Sequence, residues 1–241
     1  MSLSAEDVAY AHTLVIHQDA QVVAFNKPSG LAVQGGSGVT RSLEDLLAVF
    51  AKSNGKQPRL VHRLDRETSG VIVAARTKPA AAFLSDAFAG RDVTKTYLAI
   101  ACGAAPDPEA GEIALALTKS SRKGLDIMEV NADGKSALTH YRTLAAKSEA
   151  ALLELRPETG RMHQLRAHLA AIGRPIAGDG KYGGLYQLGG TGVSRLMLHA
   201  AELDIPHPDG DRRAFRAPLP ADFLSLAQSL GLETPNARVT C

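Results

Sequence analysis

Asp65 stands between Arg63 and Arg66 in the stretch Val61 to Arg76, VHRLDRETSGVIVAAR. A carboxylate held among guanidinium groups can serve as a nucleophile, or as a stabiliser and proton acceptor beside a reacting carbon. His62, Arg63, Asp65, Arg66 and Glu67 are too dense in charge for a core segment, whereas Val71, Ile72 and Val73 are β-branched and suit a buried strand. The order predicts a polar loop feeding a strand, with Thr68-Ser69-Gly70 supplying the reversal between them. Taken alone, Asp65 reads as a surface loop carboxylate paired with Arg63 or Arg66. A second cluster of the same character lies far along the chain, from Glu158 to Gly184, ETGRMHQLRAHLAAIGRPIAGDGKYGG. Two such clusters suggest two walls of one cleft.

These residues resemble a known family. HRLD..TSG, followed by GRMHQLRAH and then PIAGDGKYGG, is similar to the RluA family of RNA pseudouridine synthases. The resemblance runs on through FNKPSGLAVQGGSG at Phe25 to Gly38, through Lys95-Thr96-Tyr97, and through RLMLHAAELDIPHP at Arg195 to Pro208. It implies an isomerase that modifies ribosomal or transfer RNA, with Asp65 as the catalytic carboxylate. It further implies that Arg166 pairs with that aspartate and that Tyr97 sits against the target base. Arg63 would hold a phosphate or fill the gap left by the flipped base, and Leu198 would close the pocket opposite Tyr97. Lys27, which alone reads as a turn lysine, would lie under the active-site loop. The reaction breaks the bond from uracil N1 to ribose C1′ and rejoins the base through C5. No redox step occurs, so neither a cofactor nor a metal is expected. The residues do not choose among attack at C1′, addition at C6 and deprotonation of the sugar.

Other chemistries fit less well. A metal hydrolase would use His62, Asp65, His163 and His168, but a spacing of five turns His163 and His168 about 140° apart on a helix. A kinase reading of His62-Arg63-Leu64-Asp65 fails because the residue order differs and Gly35-Gly36-Ser37-Gly38 is too short for a phosphate loop. The alternative from another class is a non-catalytic RNA-binding protein on the same fold.

Composition bounds the answer without deciding it. The 241 residues suffice for a sizeable core, and the formal net charge of +2 is weak evidence for nucleic acid. The basic surplus gathers on the two polar clusters. Lys119, Arg122 and Lys123, on a charged excursion from Lys119 to Lys135, are available for phosphates. No run approaches the roughly 18 apolar residues of a membrane span. The first ten residues lack the features of a secretory signal, so a cytoplasmic monomer is expected. Cys102 and Cys241 match no metal or disulfide pattern.

The elements that must position these groups read as α+β, a largely antiparallel or mixed central sheet with flanking helices and a catalytic cleft. A hairpin is expected over Leu14 to Phe25, helices from Ser42 and from Thr77, and a strand over Thr94 to Cys102. Further strands are expected over 111–117, 137–144, 150–156 and 195–205, with helices over 160–173 and 221–231. A single catalytic domain is expected over residues 1–241, ordered from about 12 to 231, without the N-terminal RNA-binding domain of S4 type that many relatives carry.

Overall fold

A computed structural model describes residues 3–36, 38–122 and 124–235. It divides the chain into two compact units, one of Met1–Thr94 with Ala200–Pro218 and one of Lys95–His199 with Leu219–Cys241.

The first unit begins with helix α1 (Ala5–Thr13), which lies ahead of the expected ordered core. Ser4 caps it reciprocally: its hydroxyl accepts from Asp7 N at 3.1 Å, and its own N–H donates to Asp7 Oδ2 at 3.0 Å. Strands β1 (Val15–Gln18) and β2 (Val22–Lys27) form the expected hairpin. Helix α2 (Leu43–Leu46) starts at the expected serine, with Ser42 and Asp45 forming a second capping box. After the short β3 (Arg59–Leu60), strand β4 (Ser69–Ala75) pairs antiparallel with β2, setting Phe25 opposite Ile72. All seven residues of β4 are buried, as its apolar run requires. Helix α3 (Lys78–Ala89) has Thr77 as its cap and proline in its first turn.

In the second unit, β5 (Thr94–Cys102), which begins at the junction, pairs antiparallel with a later strand, β10 (Ala150–Pro157). Between them come β6 (Ala110–Ala114), β7 (Leu117–Arg122), β8 (Leu125–Val130) and β9 (Leu138–Ala146). β9 pairs with both β10 and β6. The expected charged excursion after Lys119 is instead a β-hairpin, β7 against β8. Its charges face outward, while Leu117 and Met128 join Ala137 and Ala167 in a small core, with Met162 and Tyr182 packed against it. Helix α4 (Gln164–Ala171) is shorter than expected because His163 adopts a left-handed backbone at φ 49°. It is not amphipathic either: Gln164, Arg166 and His168 are buried along with Leu165 and Leu169.

The short strands β11 (Gln187–Leu188) and β12 (Thr191–Gly192) precede β13 (Leu198–His207), whose first two residues belong to the second unit and the remainder to the first. β13 folds back on β14 (Gly210–Arg216), a strand not expected from the sequence. Four of the first five β14 residues are charged or glycine, and Arg212, Arg213 and Arg216 reach Asp204 and Asp92, Asp19, and Glu202. Helix α5 (Ala221–Ser229) closes the second unit, with Asp222 in its first turn bound by Arg195 through two hydrogen bonds of 2.6 and 2.7 Å. β13 starts three residues after Arg195, later than the expected strand from 195. Fold class and antiparallel pairing are as the sequence implies. Among the described residues, no helix is long and apolar enough to cross a membrane.

Candidate active site

The loop carrying Asp65 is fastened to the turn after β2. Lys27 is fully buried, an unusual place for an ammonium group, and donates to the carbonyls of Pro28, Leu31 and Arg66 at 3.0, 2.9 and 3.1 Å. Gly30 N also donates to Arg66 O at 2.8 Å, Ser29 Oγ to Glu67 O at 2.6 Å, and Arg66 Nε to Gly30 O at 3.0 Å. Four hydrogen bonds thus tie residues 27–30 to residues 66–67, directly after Asp65. Thr68 N closes the turn on Asp65 O at 3.1 Å. Lys27 is therefore no exposed turn lysine.

The other side of the loop is held by His62. Its ring stacks on Phe88 at 4.4 Å and 16°, and its Nε2 accepts from Val73 N in β4 at 3.0 Å. An imidazole nitrogen that accepts from a backbone N–H has no lone pair left for a metal. Gly70 has φ 117°, and a β-carbon there would lie 2.2 Å from Ala200 O, so only glycine lets β13 approach β4 at this point. Leu64 is buried, Asp65 half-buried and Arg63 exposed. The carboxylate is thereby presented from a loop that is pinned on both flanks.

In the second unit Arg166 is 2% exposed and grips Asp179, which is fully buried. Nε donates to Oδ2 and Nη2 to Oδ1, both at 2.7 Å. This is the bidentate geometry that suits a guanidinium to a carboxylate. Asp179 also organises its own loop: Oδ1 accepts from Lys181 N, and the main-chain carbonyl accepts from Tyr182 N and Gly184 N. Tyr182 lies with its ring 5.3 Å from the Arg166 guanidinium carbon. Its hydroxyl accepts from Met128 N at 2.7 Å and lies 3.0 Å from His163 Nδ1, joining the β7–β8 hairpin to the start of α4. Asp179 and Tyr182 both lie in PIAGDGKYGG, where residue type alone does not mark them as the partners of Arg166.

A directional chain of buried hydrogen bonds fixes the rest of α4. Thr159 Oγ1 donates to Gln164 Oε1 at 2.6 Å, and Gln164 Nε2 donates to Leu138 O and Thr139 Oγ1 at 2.9 and 3.0 Å. Thr139 Oγ1 lies 3.0 Å from His168 Nδ1, and His168 Nε2 lies 3.0 Å from Leu115 O. A carbonyl only accepts, so Nε2 carries the proton and Nδ1 accepts from threonine. Burial lowers the His168 pKa, only partly offset by the Leu115 carbonyl, and holds the ring neutral. The unfolded chain binds a proton at His168 below about pH 6.5 and the folded chain resists it, so this contribution to stability is lost as pH falls. Urea unfolding of the wild type is expected to show stability rising between about pH 5 and pH 7.5, by no more than about 1.4 kcal/mol per pH unit from this group. His168→Gln should flatten that rise; an unchanged pH profile would remove the assignment.

The remaining expected residues divide between the units. Arg63 and Asp65 belong to the first, and Tyr97, Arg166 and Leu198 to the second. Tyr97 is half-buried on β5 opposite Leu155, and Ile100 N on the same strand donates to Met197 O, the residue before Leu198. Lys119 and Arg122 lie exposed on β7, each paired with a carboxylate of β8: Lys119 with Asp126 at 2.8 Å and Arg122 with Glu129 at 3.2 Å. Lys123, Ser37 and Cys241 lie outside the described residues. Among the described residues, no group of three or more His, Cys, Asp or Glu is placed to hold a metal ion.

Residues 21–171 match the family described as RNA pseudouridylate synthase, a span that takes in both Asp65 and Arg166. The chain belongs to the RNA pseudouridylate synthase family. It is 42% identical over 171 residues to a ribosomal large subunit pseudouridine synthase C from Rickettsia bellii, covering 70% of this chain and 56% of that protein. It is 40% identical over 215 residues to an RNA pseudouridine synthase from Zymomonas mobilis named as uncharacterized, covering 88% of this chain and 96% of that one. Among solved structures it is similar to human RNA Pseudouridylate Synthase Domain Containing 4, with TM-score 0.82 and 31% identity over 96% of this chain and 99% of the other. Pseudouridine synthases are isomerases. The chain spans little more than half the length of the Rickettsia relative.

Proposed function

We propose that this protein is an RNA pseudouridine synthase that isomerises specific uridines of ribosomal or transfer RNA, with Asp65 as its catalytic carboxylate. The observation that carries the reading is the pinned loop: the carboxylate that family resemblance marks as catalytic sits on backbone fixed from both flanks. The target uridine is flipped out of the RNA at a cost of a few kcal/mol. Stacking on Tyr97 returns about 1–3 kcal/mol of that. Asp65 then acts beside ribose C1′ or uracil C6 while the N1–C1′ bond breaks. The base turns, a C5–C1′ bond forms, C5 loses its proton and N1 is left protonated, so atoms balance without a co-reactant. Arg166 is a supporting residue, Arg63 meets the backbone or the vacated stack, and Leu198 bounds the base pocket.

Lys119 and Arg122 are proposed to touch RNA phosphates. Their present carboxylate partners are no obstacle, because exposed ion pairs contribute only about 0–1 kcal/mol and a phosphate displaces them readily. Ribosomal RNA is favoured as substrate, in keeping with the names of several relatives. The protein is taken as a cytoplasmic monomer of one catalytic domain.

The test is tritium release from RNA labelled at uridine C5, together with a map of pseudouridines in total RNA from a strain lacking the gene. Release by purified protein, and one or more missing pseudouridines in the strain, are expected. If no position is lost and no RNA is modified, the enzyme reading fails and a non-catalytic RNA-binding protein takes its place.

A further inference from the structure

The first unit contains a cavity of about 320 Å³ bordered by Tyr10, Ser29, Gly30, Thr40, Arg41 and Arg66 among its lining residues. Its lining includes two arginines and no carboxylate. Arg66 directly follows Asp65 in the chain and uses Nε on Gly30 O; its terminal nitrogens donate to no other described residue. Arg41 uses one terminal nitrogen on Asp7 Oδ1 at 2.6 Å, and its guanidinium carbon lies 4.8 Å from the centre of the Tyr10 ring. The ring and the carboxylate hold that guanidinium in place, and the second terminal nitrogen and Nε remain as donors. Two guanidinium groups and the Thr40 hydroxyl in one lining are donors of the kind that an oxyanion with several acceptor oxygens requires.

We propose that this cavity takes a phosphodiester of the RNA backbone next to the target uridine. The inference rests on the proposed function, because it is the Asp65 loop that sets the distance: Gly30 and Arg66 are members both of the cavity wall and of the latch beneath the carboxylate. A phosphate seated there fixes the strand relative to Asp65 without reading sequence. An RNA phosphate and the phosphate of a free mononucleotide share this chemistry, and the two are separated below.

The experiment measures binding of a labelled RNA stem-loop with about seven unpaired uridines at several salt concentrations, for wild type, Arg41→Gln/Arg66→Gln and Arg41→Lys. Loss of one single-strand phosphate contact should lower the slope of log K against log salt by about 0.7 in the double variant, while Arg41→Lys keeps most of it. A methylphosphonate placed singly at each loop position supplies the second readout. One position should weaken wild-type binding and leave the double variant unmoved. Wild-type tritium release with an unchanged slope in the double variant overturns the cavity assignment and leaves the proposed function standing. RNA binding without tritium release sinks the proposed function, and the slope then still decides the cavity. Absence of RNA binding overturns both. Uridine monophosphate that binds wild type and not the double variant, with the RNA slope unchanged, assigns the cavity to a mononucleotide and overturns the diester. Circular dichroism of the variants checks that the fold survives.

Discussion

Asp65→Asn is expected to lower tritium release from C5-labelled RNA by about 10²- to 10³-fold or more, the scale on which a charge-stabilising group is felt in a transition state. RNA affinity should be retained. The substitution keeps the shape of the side chain and leaves the loop anchors in place, since these use the carbonyls of Asp65, Arg66 and Glu67 and the side chains of Lys27, Ser29 and His62. An enzyme uses the carboxylate; an RNA-binding protein does not. Release within about tenfold of wild type, a barrier change of only about 1.4 kcal/mol, would sink the catalytic assignment.

Asp179→Ala is expected to cost about 3–5 kcal/mol of stability, because it removes the two-pronged partner of the buried Arg166 guanidinium. The reverse change, Arg166→Lys, keeps the charge but not the planar fork, and should lower turnover more than it lowers stability. Replacing both by apolar residues, Arg166→Met with Asp179→Leu, separates fold from function. Such swaps of a buried pair are often neutral or stabilising by about 1–4 kcal/mol. The double variant should thus regain most of the stability lost by Asp179→Ala while tritium release stays low. A loss below about 1 kcal/mol in Asp179→Ala would contradict the buried-pair account. Wild-type release by the double variant would overturn the supporting role proposed for Arg166.

The arrangement of β4 and the loop before it was legible because burial and charge change abruptly between Glu67 and Val71. Strand β5 and helix α3 were legible through alternation and a Thr-Lys-Pro start. What escaped was mostly made by the backbone. The Lys27 latch ends on three carbonyls, which leave no trace in residue types. Asp179 looked like one acid among basic neighbours, since nothing in a sequence distinguishes a solvated carboxylate from a buried one thirteen residues from its arginine. The spacing of Leu165 and Leu169 shows one core-facing side of α4, but its polar side is buried too, where Thr139 and Thr159 satisfy it from elsewhere in the chain. The β7–β8 hairpin was hidden by its outward charges. α1 did carry a signal, serine followed three residues later by aspartate, at Ser4 and Asp7.

The contact between Gly70 and Ala200 also orders events on the ribosome. Strand β4 neighbours β2 on one side and β13 on the other, yet Ala200 follows Gly70 by 130 residues. At about 5–20 residues per second, the Gly70 end of β4 waits roughly 6 to 26 seconds for its second neighbour. Throughout that interval the part of this mostly apolar strand's edge that β3 does not cover is open to pairing with other chains. Nascent protein truncated between about residues 100 and 190 should for this reason be the aggregation-prone form, and a holding chaperone should act on it there rather than on the finished fold.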